Sequence, residues 1–216
     1  MRGRREAEGD PLGIDPAFLA AFRDRLSGFP HRSAVTEGLR HAAVAVTLVP
    51  GRSGHPCFLL TLRTATLRAH AGQFALPGGR VDAGETAPDA ARRELAEELG
   101  LALGPSAVLG LLDDYVTRSG YRITPVVLAG DGREPLRPNP AEVAQVHTVA
   151  VSELDRPGVP ELVTIPESER PVVRLPLLGA CVYAPTAAML YQFREVALHA
   201  RPTRVAHLEQ PVFAWR

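Results

Sequence analysis

The chain has 216 residues and no lysine: all 24 basic residues are arginine, and 24 Asp and Glu balance them to a formal net charge of zero. A neutral chain has no global attraction for nucleic acid or an anionic membrane. Without lysine, any cation that meets a phosphate here must be a guanidinium, which grips phosphate oxygens in bidentate fashion. Cysteine is nearly absent, with Cys57 in "PCFLL" and Cys181 in "GACVYA". Neither has a second Cys or His at metal-ligand spacing, so both read as buried free thiols and not as a disulfide or a zinc site. No apolar run approaches the ~18 residues that would span a bilayer. The segment "MRGRREAEGD" has no apolar h-region, so no signal peptide is expected and the expected location is cytoplasmic.

What is there is ordinary for a soluble globular protein, with 45% apolar and 22% charged residues. The length suits one domain with a real core. The charged, Gly-rich residues 1–14 read as a flexible N-terminal segment, residues 15–199 as a single domain and 200–216 as a C-terminal tail. "DPAFLAAFRDRL" has an Asp cap, a first-turn proline and apolar positions at Phe18, Leu19, Phe22 and Leu26, which predicts a helix. "HAAVAVTLVP" and "CFLLTLR" predict two strands around the turn "GRSGHP". "AVLGLLDDYV" and "YRITPVVLAG" predict a hairpin joined by "TRSG", in which Asp113 and Asp114 are expected to be solvated. "EVAQVHTVAV" predicts a further strand, and "PVVRLPLLGACVYA" a loop and strand. "PTAAMLYQFREVALHA" predicts a second amphipathic helix opened by Pro185, with Tyr183, Tyr191 and Phe193 as core residues. The tail ends in "PVFAWR", an apolar patch without an evident partner in the chain. Strands with two or three interspersed helices predict an α/β architecture, a mixed β-sheet flanked by helices.

The segment "GGRVDAGETAPDAARRELAEELGL", Gly78 to Leu101, poses the functional question. Thr86 can cap a helix, with Pro88 in its first turn and Asp89 facing the N-terminal dipole. At about 100° per residue, Glu94, Glu97 and Glu98 fall on one face, while Leu95 and Leu99 point to a core. Arg93, four residues before Glu97, can hold that carboxylate. Such a cluster is either a solvated acidic face or a set of oxygen donors for a hard cation such as Mg²⁺. The helix alone leaves both open.

The loop before it decides. Gly79, five residues, Glu85, seven residues, then Arg93-Glu94-Leu95-Ala96-Glu97-Glu98-Leu99-Gly100-Leu101 matches G-x5-E-x7-R-E-U-x-E-E-x-G-U, with U aliphatic, at every fixed position. Seven fixed Gly or polar positions agree by chance on the order of once in 10⁸ starts at ordinary residue frequencies. From about His41 to Phe193 the chain resembles the Nudix hydrolases. The resemblance implies the Nudix fold, an α/β/α sandwich, and a diphosphate hydrolase dependent on Mg²⁺ or Mn²⁺. It implies a metal set of the Gly79 carbonyl with Glu94, Glu97 and Glu98, one of them activating water. Arg93 would orient a glutamate, and Glu85 would tie the loop to the helix. Glu142, in "NPAEV", would be an extra ligand or general base at a strand edge.

Upstream, "LLTLRTATLRAHAGQFALPGG", Leu59 to Gly79, is similar to a signature of the coenzyme A pyrophosphatase branch, LLT-x-R-[SA]-x-x-L-R-x-H-x-G-Q-x-x-F-P-G-G. Arg63, Leu67, Arg68, His70, Gly72, Gln73 and Pro77-Gly78-Gly79 match; Thr64 and Leu76 depart from it, and Phe74 stands where Val is typical. The resemblance implies a CoA-type diphosphate as substrate, with Arg63, Arg68, His70, Gln73 and Gly78 in its binding site. Arg63 and Arg68 suit a phosphate through charge-assisted hydrogen bonds. "LGLLDDYVTRSGYRITPVV" and "YAPTAAML" also look like this branch, the latter with Pro185 inserted. The rival substrates are ADP-ribose, NADH and a CoA-capped RNA, though zero net charge disfavours a nucleic acid partner. A binding module that no longer hydrolyses is the rival from another class, disfavoured by the intact acidic set. A homodimer through the N-terminal segment and "PVFAWR" is a further expectation.

Overall fold

Two long apolar runs with residues buried on both sides build the centre of the molecule. The computed structural model describes residues 14–34, 37–52, 54–65 and 72–215. The strands among them are β1 (Arg40–Pro50), β2 (Pro56–Arg63), β3 (Phe74–Ala75), β4 (Gly78–Arg80), β5 (Val108–Leu111), β6 (Tyr115–Val116), β7 (Tyr121–Ala129), β8 (Val143–Ala150), β9 (Glu161–Ile165), β10 (Ser168–Leu177) and β11 (Ala180–Tyr183). The helices are α1 (Pro16–Ser27), α2 (Ala87–Leu99) and α3 (Thr186–Phe193). The first eight strands form the main sheet, with β3-β2-β1-β7-β5 along its path and β4 on β1, β6 on β7 and β8 on β2. Only β1 and β7 pair in parallel among the described strands. The sheet is therefore mixed, as the sequence predicts.

Alternation along β1 sends its side chains into two separate cores. Ala43 and Ala45 pack with Ala90, Ala91, Leu95 and Leu99 of α2. Val46 and Leu48 face a larger core that includes Phe22 and Leu26 of α1 and Met189, Leu190 and Phe193 of α3. The small residues on the first face let α2 lie close to the strands. Helices on both faces give the α/β/α layering.

Helix α1 begins as expected: Asp15 caps it, accepting from the Ala17 N–H at 2.8 Å. Helix α2 is capped by Thr86 and ends at Gly100, whose φ of 67° is left-handed and suits glycine. Helix α3 differs from expectation. Thr186 through Leu190, Gln192 and Phe193 are all buried, so this helix is enclosed and not amphipathic, and a π-helical turn, Arg194–Leu198, continues it. The enclosing element is one the sequence reading did not separate: β9, β10 and β11 form a second, antiparallel sheet that packs on α3.

The C-terminal residues also depart from expectation. The apolar patch has partners within the chain: Tyr183 meets Phe213 edge-on at 5.2 Å, and the Arg118 guanidinium lies 4.9 Å over the Trp215 ring. Buried Glu209 anchors the segment, bound by Arg118 at 2.5 Å and by Ser168 at 3.1 Å. Both cysteines are free, Cys57 buried and Cys181 half-buried. No described helix is long and apolar enough to cross a membrane.

Candidate active site

The antiparallel pairing of β1 and β4 places Ala43 opposite Gly79 and Val44 opposite Gly78. Both glycines sit where a side chain has no room. A Cβ on Gly78 would strike the Ala43 carbonyl and the Val44 backbone, and one on Gly79 would strike the Glu94 carboxylate. The glycine pair therefore lets the loop backbone lie directly against the acidic face of α2.

Arg93 organises that face. Its Nε and one terminal nitrogen each lie 3.0 Å from Glu85, a bidentate pair, and the latter nitrogen also donates to the Arg80 carbonyl at 2.9 Å. Its other terminal nitrogen donates to Glu94 at 2.8 Å and to Glu97 at 3.3 Å. The helical spacing predicts Glu97 as the partner of Arg93; the tertiary fold makes Glu85 the better one, because the loop curls back over the helix start. The hydrogen bonds from Arg93 hold the Glu85 carboxyl below its ordinary pKa, and those to Glu85 and Glu94 push the guanidinium further up.

The three helix glutamates lie in different environments. Glu98 is 2% exposed, Glu94 is half-buried and Glu97 is exposed. Burial pushes the Glu98 carboxyl up to about 7, against Arg63 and the Gly78 N–H, which favour its charge, and with the like charges of Glu142 and Glu94. Burial also raises Glu94, opposed by Arg93 and reinforced by Glu97 and Glu142. Glu142 thus acts electrostatically on both buried members of the set. Its position follows from the end of α2. The carbonyls of Leu99 and Glu98 accept the N–H groups of Arg137 and Asn139 at 2.7 and 2.8 Å, and Asn139 in turn accepts from Glu142 N–H at 3.1 Å. The Thr64 N–H then donates to the Glu142 carbonyl at 3.0 Å, linking this turn to the end of β2.

Arg63, the last residue of β2, lies 3.9 Å from Glu98, and its Nε is buried without a hydrogen-bond partner among the described residues. Gln73 lies beside it, its carbonyl accepting the Arg63 N–H at 3.0 Å. Arg68 and His70 lie outside the described residues. Beyond Arg63 and the glycine pair opens a cavity of about 680 Å³ on the sheet face away from α2. Its described walls carry three arginines, Arg40, Arg63 and Arg80, and no carboxylate. Its other described walls are largely apolar and aromatic, including Phe74, Ile123, Tyr183, Met189 and Phe213, with Gln73, Ser119 and Thr186 among them. A ligand that joins an anionic group to an apolar or planar one matches this lining. Arg40, Arg80, Tyr121 and Phe213 were not marked by the sequence reading. Arg40 and Arg80 stand on the face of neighbouring strands, a signal that exists only once β1 and β4 are paired.

Asp113 and Asp114 do not join the site. The sequence reading expects them solvated; both are buried, at 5% and 4% exposure. Asp114 accepts from Thr124 at 2.6 Å, His31 at 3.0 Å, Ala34 N–H at 3.0 Å and Ser33 at 3.1 Å, with Arg122 at 3.3 Å. Asp113 accepts from Arg32 N–H at 2.9 Å and Gln192 at 3.0 Å, and pairs with Arg204.

The donor set suits a hard divalent cation: carboxylate oxygens in a half-buried setting, where like charges oppose one another and no lysine intervenes. Among the described residues no three His, Cys, Asp or Glu side chains converge tightly enough to hold one ion as they stand. Glu97 in particular points to Arg93 and solvent, which separates it from Glu98.

Comparison with known proteins agrees with this geometry. The NUDIX domain model matches residues 39–171. The Nudix hydrolase NudL of Photorhabdus laumondii, described as uncharacterised, is 39% identical over 137 residues, which cover 63% of this chain and 71% of that protein. Its counterpart in Cronobacter sakazakii is 38% identical over 155 residues, 70% of this chain and 76% of that one. Among solved structures, a MutT/nudix family protein from Enterococcus faecalis superposes with a TM-score of 0.53 at 19% identity, covering 88% of this chain and 78% of that one. Nudix hydrolases use divalent metal ions such as Mg²⁺. With its complete glycine loop and carboxylate helix, this chain belongs to the Nudix hydrolase family.

Proposed function

We propose that this protein hydrolyses the diphosphate of coenzyme A or an acyl-CoA, releasing 3′,5′-ADP and phosphopantetheine or its acyl form. The observation that carries the reading is the cavity, whose described lining has three arginines, no carboxylate and a largely apolar and aromatic remainder, and which shares Arg63 and Gly79 with the surroundings of Glu98 and Glu94. Arg63 and Gln73, with Arg68 and His70 of the same sequence signature, would bind the anionic part of the substrate. Gly78 would let the substrate approach the backbone. The apolar wall would take the pantetheine arm or the base.

Glu94, Glu97, Glu98 and the Gly79 carbonyl would hold Mg²⁺ or Mn²⁺. When bound, such an ion spreads the diphosphate charge and lowers the pKa of attacking water. Arg93 keeps Glu94 oriented through its anchorage on Glu85. Glu142, coupled to both Glu94 and Glu98, stands as the group that takes the proton from water. The functional unit on this reading extends past residues 15–199, because Phe213 lines the cavity.

A Mg²⁺-dependent hydrolysis panel of CoA, acetyl-CoA, ADP-ribose, NADH and dinucleoside polyphosphates, with products identified by mass, tests the reading. Release of 3′,5′-ADP from CoA or acetyl-CoA is the expected result. Cleavage of ADP-ribose or NADH without any cleavage of CoA species would overturn it.

A further inference from the structure

We propose that Arg40 and Arg80 form a second anion subsite, which takes a phosphate monoester carried on the ribose of the substrate, apart from the diphosphate that is cleaved. The proposal rests on the reading of the substrate as a nucleoside diphosphate derivative and adds a group that must be recognised on it. The pairing of β1 with β4 sets Arg80 opposite Ala42, and Arg40 is two residues from Ala42 along β1. Directly opposed residues in an antiparallel pair share a face, as do residues two apart on one strand. Both side chains therefore leave the same face of the sheet, Arg80 from β4 and Arg40 from β1, where its guanidinium lies on the side of β7. Both line the cavity.

Neither arginine has an ion-pair partner among the described residues, in a molecule whose arginines otherwise pair widely with carboxylates. Arg40 is held in place nonetheless. Its guanidinium stacks 3.9 Å over the Tyr121 ring and donates to the Ser119 carbonyl at 2.7 Å. That leaves further N–H groups for an acceptor, on a side chain whose position is already set. Arg80 follows Gly78 by two residues, about 7 Å of extended strand. The subsite and the glycine pair are thus neighbours within one nucleotide's reach, and Arg63 lines the same cavity. A terminal phosphate takes donors from different directions, and two arginines from adjacent strands on the wall of one cavity can reach it from two sides.

The two sources of such a phosphate are the 3′-phosphate of a CoA-type nucleotide and the 2′-phosphate of an NADP-type one. Calorimetric binding of 3′,5′-ADP, 2′,5′-ADP and 5′-AMP to the full chain in Mg²⁺ separates them, in the wild type and in Arg40→Ala, Arg80→Ala and double variants. Arg133→Ala, an exposed change away from this cavity, serves as the control. One of the two bisphosphates is expected to bind at least about tenfold tighter than AMP, each single variant to lose part of that preference and the double variant nearly all of it. The preferred isomer identifies the source: a 3′ preference fits the CoA reading, and a 2′ preference keeps the subsite while redirecting the substrate. Equal affinity for all three nucleotides, no measurable binding, or a preference that survives in the double variant would overturn the subsite. Failure to hydrolyse CoA would sink the proposed function alone, because the binding comparison does not depend on turnover.

Discussion

Two groups of buried acids stand at opposite ends of the possible outcomes for a carboxylate removed from water. Asp114 sits among hydroxyls, an imidazole, a backbone N–H and a guanidinium. Burial would raise its pKa, but the donors Thr124, His31 and Ala34 outweigh burial and hold it below the ordinary value. Glu98 is buried to a similar degree, yet its nearest cation among the described residues is 3.9 Å away and its other neighbours include two more carboxylates, so burial prevails and pushes it up to about 7. The first cluster is satisfied by the protein's own donors. The second finds fewer donors among the described residues, which is the condition expected of a cation site. Burial alone does not distinguish a structural acid from a functional one; the inventory of donors does.

The sharpest way to break this comparison is Glu98→Gln. If Glu98 serves a bound cation, the variant should lose activity by on the order of 10²–10³-fold in kcat. It should also be more stable than wild type in the absence of metal at pH 8. The sign follows from the raised pKa: between about pH 4.5 and about 7 the unfolded chain has released this proton while the folded chain keeps it. Metal-free stability therefore falls as pH rises through that window, and the full cost persists above it. Thermal melts from pH 5 to 8, with EDTA and with Mg²⁺, should show this slope flattened in the variant. A variant that is both active and less stable at pH 8 would contradict the contrast with Asp114.

Asp114→Ala should do the reverse. Removing the acid leaves Arg122 and several donors buried without their acceptor, and the expected cost is about 3 kcal/mol in denaturant unfolding. The kcat of the folded fraction should stay within about twofold of wild type, since the residue only braces the scaffold. Arg93→Ala should fall between the two, with kcat down about 10–100-fold, as is typical when a residue that orients a ligating group is removed. Arg93→Lys should recover little, because one ammonium cannot make the bidentate contact with Glu85 and reach Glu94 as well. The smallest effect is expected for Phe213→Ala, which should raise KM about two- to tenfold with kcat unchanged, as for loss of one aromatic contact. An unchanged KM would remove the C-terminal segment from the substrate wall.

The site was legible in the sequence where its chemistry is local. Thr86, Leu95 and Leu99 are read from helical spacing and capping rules, and each takes the expected place. The glycine loop could be read from its motif spacing, while the reason for its glycines, that Gly78 and Gly79 lie where a Cβ would strike β1 and Glu94, came only with the fold. Other contacts were hidden because their partners are distant along the chain. Asp113 and Asp114 look like hairpin acids until Arg204, Gln192, His31 and Arg122 converge on them. Helix α3 looks amphipathic until the β9–β11 sheet covers its other side. The tail looks unpartnered until Arg118 and Tyr183 receive it.

What the sequence by itself determined is the unit of spacing: a glycine loop, a capped helix and acids at fixed intervals, all set by backbone geometry over some twenty residues. The tertiary structure decided which of those acids are buried, which arginine faces which carboxylate, and that three guanidiniums share a cavity. Those outcomes depend on strand pairing and on burial, which bring together residues far apart in the chain and set the free energy of each charge.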